Sequence, residues 1–124
     1  MREMSLVELR QSDVRNCLLR LLPDAAFHDL APHLEFVELP RGTVFSEPLV
    51  EPTHSYFLET GIGSVVAVSP EGQHSEVAIF GREGMTPAFL VLETTRTPFS
   101  IFMQVPGRGF RIVNDHLLAA ARRW

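Results

Sequence analysis

Near the start of the chain, apolar residues recur at helical spacing. Between Asp13 and Leu22, the positions Val14, Cys17, Leu18, Leu21 and Leu22 fall at i, i+3, i+4, i+7 and i+8, one face of an α-helix. Ser12 is placed to cap this helix and Pro23 to end it. Asp24 then caps a second short helix whose inward positions are Phe27, Leu30 and Leu34. Pro32 lies near the end of that helix, where its missing N–H and its ring do least harm.

Beyond Leu34 the period shortens to two. "EFVELP", "TVFSE", "HSYFLE", "GSVVAVS", "SEVAIF", "SIFMQVP" and "GFRIV" are short β-rich runs. Turn formers stand between them: Pro40-Arg41-Gly42, Gly61-Ile62-Gly63, Pro70-Glu71-Gly72 and Pro106-Gly107. In "SIFMQV", Ile101, Met103 and Val105 share one face, and Phe102 and Gln104 share the other. About seven or eight strands at this spacing predict a mainly β fold, an antiparallel β-roll of the double-stranded β-helix or jelly-roll kind, because rolling hides strand edges. "NDHLLAAARRW" returns to helical spacing, with Asn114 as cap and Leu117, Leu118 and Ala121 facing inward. Arg122 and Arg123 suit the negative end of that helix dipole. Nothing in the run stops the helix before Trp124, so continuation in a longer parent chain is expected. The whole reads as one domain: N-terminal helices over 1–33, a roll over 34–113, and the start of a C-terminal helix over 114–124.

Composition narrows the picture. A chain of 124 residues suits one domain and buries roughly 65–70% of its unfolded surface, enough for a core without metal or disulfides. Hydrophobic residues make up 45% and charged residues 21%, a globular balance rather than a disordered one. No apolar run approaches the roughly 20 residues of a membrane span, and "MREMSLVELR" carries no apolar signal core. The one cysteine, Cys17, fits a reducing compartment, so a cytoplasmic location is expected. Net charge is −4, and all 11 basic residues are arginines. They are scattered apart from Arg108/Arg111 and Arg122/Arg123, so no basic face for nucleic acid is evident.

In order and spacing, "HLEFVELPRGTVFSEP", "SYFLETGIGSV", "SPEGQHSEVAIFGREGM" and "MQVPGRGFRI" resemble the sensor domain of Crp/Fnr-type bacterial transcription regulators. The resemblance runs from about Asn16 to Ala121. It implies a cyclic-nucleotide-binding-domain-like β-roll with flanking helices. It also implies a dimerisation helix and a DNA-reading domain beyond the roll. Only the start of the first lies in this chain, so a homodimer would form through the C-terminal helix, and DNA contact would belong to a domain missing from this chain. The partner within the roll would be a small-molecule effector.

In members that bind cyclic nucleotides, a phosphate cassette lies between two late strands. There a Gly-Glu pair grips the ribose and an Arg-Ser or Arg-Thr pair neutralises the phosphate. The candidate cassette here comprises Gly84, Met85, Thr86, Pro87, Ala88, Arg96, Thr97 and Pro98. Pro87-Ala88 stands where Gly-Glu is expected, and Thr97-Pro98 where Arg-Ser is expected. Alanine accepts no hydrogen bond through its side chain, and proline removes a backbone donor. Arg96 is one position off, which on an extended strand points it to the opposite face. A degenerate cassette without cyclic AMP or cyclic GMP binding is therefore expected. Arg82 and Arg96 are otherwise read as solvated surface charges.

Two other readings fit parts of the sequence. A cupin-like metal-binding roll would draw on His74, Glu76 and His54, a two-histidine, one-carboxylate set. The chain lacks the His-x-His of cupins, and His28, His33 and His116 are scattered, so no metal, cofactor or catalytic residue is assigned. Cys17 is expected on a buried helix face, where a thiol is inert. A ligand-free interaction module is the remaining alternative.

Overall fold

A computed structural model describes residues 9–86 and 99–123. A 3-10 turn at Gln11–Asp13 precedes helix α1, Cys17–Leu21, and helix α2, Asp24–Leu30, which runs into a second 3-10 turn at Ala31–His33. The strands are β1 (Glu35–Leu39), β2 (Val44–Ser46), β3 (His54–Val68), β4 (His74–Phe80), β5 (Met85–Thr86) and β6 (Phe99–Val113). Helix α3, Asn114–Arg123, follows β6 directly. The strands form one antiparallel sheet in the order β1-β6-β3-β4, with β2 also paired to β6 and β5 to β3. Mainly β with flanking helices is thus the observed class.

Two predicted turns are absent. Gly61-Ile62-Gly63 lies inside the single long strand β3, and Pro106-Gly107 inside β6. Both stretches fall where the β3–β6 register slips, between Leu58 and Gly63. Register slips let a strand bend without ending. Pro106 falls within the slipped stretch, between the Ile62–Val105 and Thr60–Arg108 pairs, where its missing N–H interrupts no regular pair. Gly61 has φ +92, and a Cβ on Gly107 would collide with the Thr60 carbonyl. Here glycine permits close strand approach rather than a reversal.

The first predicted helix is also shorter than its periodicity suggests. Asn16, not Ser12, caps it, accepting hydrogen bonds from the Leu18 and Leu19 N–H groups. The residue driven inward is Leu19, fully buried, whereas Leu21 is 80% exposed. Cys17 is half-buried rather than buried. The cause is tertiary: the backbone N–H groups of Arg15 and Asn16 donate to the buried Glu59 carboxylate, both at 2.8 Å, which holds that stretch out of helix. Asp24 opens α2 without a side-chain cap bond. In α3 the buried residues are Asn114, Leu117 and Ala120; Leu118 is half-buried and Ala121 exposed. Asn114 turns its side chain to Ser55 and Pro52.

Alternation along β3 and β6 produces two cores, one on each side of the sheet. Phe57, Phe110 and Ile112 join Val14, Leu19, Phe27, Leu30, Leu117 and Ala120 beneath the helices. Leu58, Ile101 and Met103 join Leu39 and Phe45 inside the roll. Each such side chain contributes roughly 1.5–3 kcal/mol by leaving water. Val105, expected beside Ile101 and Met103, is 43% exposed because it sits at the register slip.

Candidate functional site

The turn from Gly81 to Gly84 leads through β5 toward the segment 87–98. Two contacts fix it to the start of the N-terminal helix, and one more ties that helix to β3. Asn16 Nδ2 donates to the Gly84 carbonyl at 2.7 Å and to the Leu58 carbonyl at 2.9 Å. The Cys17 N–H donates to the Arg82 carbonyl at 2.6 Å. The Glu83 carboxylate closes the turn by accepting from the Gly81 N–H at 2.9 Å. Arg82 is exposed, as its reading as a solvated charge requires.

Of the predicted cassette residues, three fall within the described structure, and they do different things. Gly84 offers its carbonyl to Asn16. Met85 packs against the helix-side core, away from the roll interior. Thr86 is buried and lies directly opposite Tyr56. Pro87, Ala88, Arg96, Thr97 and Pro98 lie outside the described residues.

Thr86 belongs to a cross-strand row. Glu35 pairs with Arg111, Arg111 with Tyr56, and Tyr56 with Thr86. Directly opposed residues share a sheet face, and Tyr56 packs against the roll-interior core. Arg111 Nε donates to Glu35 at 2.7 Å. That hydrogen bond holds the Glu35 carboxyl below its ordinary value, against slight desolvation, with the charge of Arg111 and then His54 adding to it. It likewise holds Arg111 above its ordinary value, with a smaller contribution from a hydrogen bond to Tyr56. Among the described residues, Arg111 places a guanidinium on this face, already engaged by a carboxylate. The sequence marks Arg111 only as half of a basic pair; its β1 partner lies 76 residues away.

Next to this row an open cleft of about 330 Å³ lies under the loop joining β2 to β3. Phe45, Ser46, His54 and Tyr56 line it, with Glu47 and Glu51 at its rim. The Phe45 and Tyr56 rings meet at 4.7 Å with a 50° tilt. Thr53 Oγ1 and His54 Nδ1 are 2.9 Å apart. Nothing in the sequence pattern marks this cleft, because the β2–β3 loop lacks a recognisable motif.

The histidines are not brought together as a metal site. His54 opens β3, while His74 pairs with Val68 at the other end of that strand. Glu76 receives a hydrogen bond from Ser64. Among the described residues no group of three or more potential ligands is found. His33 and His116 stack instead, ring centroids 4.0 Å apart, joining the end of the N-terminal helices to α3. Also among the described residues, no helix is long and apolar enough to cross a membrane.

No family model matches the chain, and no curated protein matches it by sequence. Solved structures do match. A candidate cyclic nucleotide binding protein from Ruegeria pomeroyi superposes with TM-score 0.76 at 19% identity, over 100% of this chain and 54% of that one. The sensor domain of the transcriptional regulator DNR from Pseudomonas aeruginosa gives 0.70 at 19% identity, over 98% of this chain and 77% of that one. The regulatory subunit of a cAMP-independent protein kinase A from Trypanosoma cruzi, bound to guanosine, gives 0.73 at 17%, over 89% and 38%. The chain thus spans about half the length of the Ruegeria protein, 54% of it. What these likenesses share with the chain is the fold, the β-roll of cyclic-nucleotide-binding domains.

Proposed function

We propose that this chain is the sensor domain of a Crp/Fnr-type bacterial transcription regulator whose cassette no longer takes cyclic AMP or cyclic GMP. The observation that carries the reading is the helix–helix–roll–helix arrangement, shared over 98% of the chain with the sensor domain of a transcriptional regulator. The domain acts in the cytoplasm by binding, not by catalysis. A small-molecule effector biases its conformation, and dimerisation through α3 and DNA reading belong to the longer protein.

The lever is physical. Asn16 and Cys17 tie the first helix to the turn that enters segment 87–98. The helix-side core then joins that helix to α3. An effector shifts such a unit only as far as it binds one arrangement better than the other. The loss of cyclic nucleotide binding rests on Pro87-Ala88 and Thr97-Pro98, which provide neither the carboxylate nor the guanidinium for a sugar-phosphate. The guanosine-bound kinase subunit supports a roll of this fold serving a ligand without a phosphate.

Thermal melting with added nucleotide tests the reading. A ligand at about 100 times its dissociation constant adds about 2.7 kcal/mol of stability. Millimolar cyclic AMP or cyclic GMP is expected to leave the melting temperature unchanged. A rise of several degrees with either would overturn the degenerate cassette.

A further inference from the structure

Helix α3 is held against α2 and the 3-10 turn that follows it at two levels. At one level Arg123 Nε donates to the Asp29 carboxylate at 3.3 Å. At the other the His33 and His116 rings lie face to face, centroids 4.0 Å and planes 12° apart. Sequence spacing explains the alignment. Asp29 and His33 are four positions apart and His116 and Arg123 seven, so each pair falls on one face of its helical run. At its start α3 is anchored by Asn114, whose side-chain and backbone N–H groups donate to the Pro52 and Thr53 carbonyls at 2.9 and 3.0 Å.

The two levels differ in one respect: imidazole charge changes between about pH 5 and pH 8. Two neutral rings stack without electrostatic cost. With one proton, a cation lies over an aromatic face, which is attractive. With two, like charges lie 4.0 Å apart and the stack becomes repulsive. His116 also sits in the first turn of α3, the positive end of that helix, where a cation is unfavourable. Among the described residues, the nearby carboxylates are engaged elsewhere: Asp29 by Arg123, Glu35 by Arg111, and Glu59 by the Arg15 and Asn16 N–H groups. His54 on β3 meets Thr53 Oγ1 at 2.9 Å. Asp24 and His28 of α2, and Asp115 and Arg122 of α3, fall about 100° or more round their helices from the stack.

We propose that the His33–His116 stack is an acid-sensitive latch on the C-terminal helix, closed while at most one ring is protonated and opened by the second proton, which shifts the first turn of α3 against His33. Both rings are exposed, so protons reach them without unfolding. Water also screens the repulsion. The change in the docking equilibrium is about fivefold, the Coulomb factor for unit charges 4 Å apart in water. The docked arrangement takes up the second proton less readily than the unfolded chain. The contribution of the stack is therefore complete above the ordinary imidazole range, centred at about pH 6.5, and is lost as pH falls through it. The inference concerns the contact between two helical runs and stands whether or not the roll belongs to a transcription regulator.

Imidazole and amide chemical shifts of the full 124-residue chain, followed from about pH 8 to pH 5, provide the test. His33 and His116 are expected to titrate as a coupled pair, each over a broader range than one proton gives. The Leu117, Ala120 and Arg123 amides should move with the second step. In His116→Phe an aromatic ring remains but the second charge cannot form. There His33 should follow a one-proton curve, and the α3 amides should lose their response. His33→Phe is the reciprocal variant, and because both positions are exposed each variant is expected to fold. Urea unfolding gives a second readout: between about pH 8 and pH 5, His116→Phe should gain about fivefold over the parent in folding equilibrium constant. One-proton curves for both rings in the parent would overturn the proposal. So would α3 amide shifts that persist in both variants, or a stability ratio that stays constant with pH.

Discussion

Asn16 decides how the N-terminal helix meets the roll. It is fully buried, and its amide is used to capacity: Oδ1 accepts from Leu18 and Leu19, and Nδ2 donates to Leu58 and Gly84. Beside it Glu59, 7% exposed, takes the Arg15 and Asn16 N–H groups. A buried carboxylate with two backbone donors is stable where a lone one would not be. The pair of Glu35 and Arg111 is a different case, because both groups are well exposed, at 60% and 37%. Such a bridge contributes at most about 1 kcal/mol. The Glu35 carboxyl is depressed in the folded state, so its contribution is complete above the unfolded value and is lost as pH falls through the folded one. Glu35→Gln should therefore lower stability at pH 7 by about 0.5–1 kcal/mol. The gap to the parent should close on acidification below about pH 4. Urea unfolding at neutral and acid pH measures both, and a gap of constant size would remove the ion pair as its cause.

Strands β3 and β6 carry the roll because each bends without breaking. Gly107 sits where the two bends meet, paired with Leu39 on one side and pressed on the Thr60 carbonyl and Gly61 on the other. Gly107→Ala forces backbone against backbone, so a loss of about 1–3 kcal/mol is expected, comparable to a strained residue. Gly72→Ala is the contrast. It leaves the new Cβ in open space, with only its φ of +86 to accommodate. Denaturation midpoints of the two variants separate packing from conformation. Equal losses would show that approach at Gly107 is unimportant.

The same glycines explain what the sequence could and could not say. β-rich runs set between turn formers revealed every described strand except the two-residue β5, although β4 is exposed along nearly its whole length and β2 buries two successive residues. Gly61-Ile62-Gly63 and Pro106-Gly107 read as turns because the residues that permit a reversal also permit a bend. Which occurs depends on the facing strand. The ties from Asn16 to Glu59, Leu58 and Gly84 were invisible for a related reason: these partners lie more than 40 residues away in sequence. Gly84, Met85 and Thr86 precede segment 87–98, and local sequence does not say that Met85 turns to the helices and Thr86 to the roll.

The helices and one face of the sheet share a core, distinct from the one inside the roll. Leu19 of α1, Phe27 and Leu30 of α2, Phe57 of β3, Ile112 of β6, and Leu117 and Ala120 of α3 all pack in the shared core. Around this core, Arg123 bridges to Asp29 at 3.3 Å and His116 stacks on His33. With the core shared in this way, α3 cannot detach without exposing apolar surface on the N-terminal helices and the sheet together. The domain is thus expected to unfold as one unit, and any ligand-driven change to be a shift of α3 over the core rather than its release. Leu117→Ala tests this. Removing a buried leucine side chain should cost about 2–5 kcal/mol. If the core is common property, helical signal in the far-ultraviolet and aromatic packing in the near-ultraviolet should still be lost at one denaturant concentration, as in the parent. A helical transition that runs ahead of the aromatic one in this variant would mean that α3 is a separable appendage, and that coupling between roll and C-terminal helix must pass through the Asn114 contacts with Ser55, Pro52 and Thr53 alone.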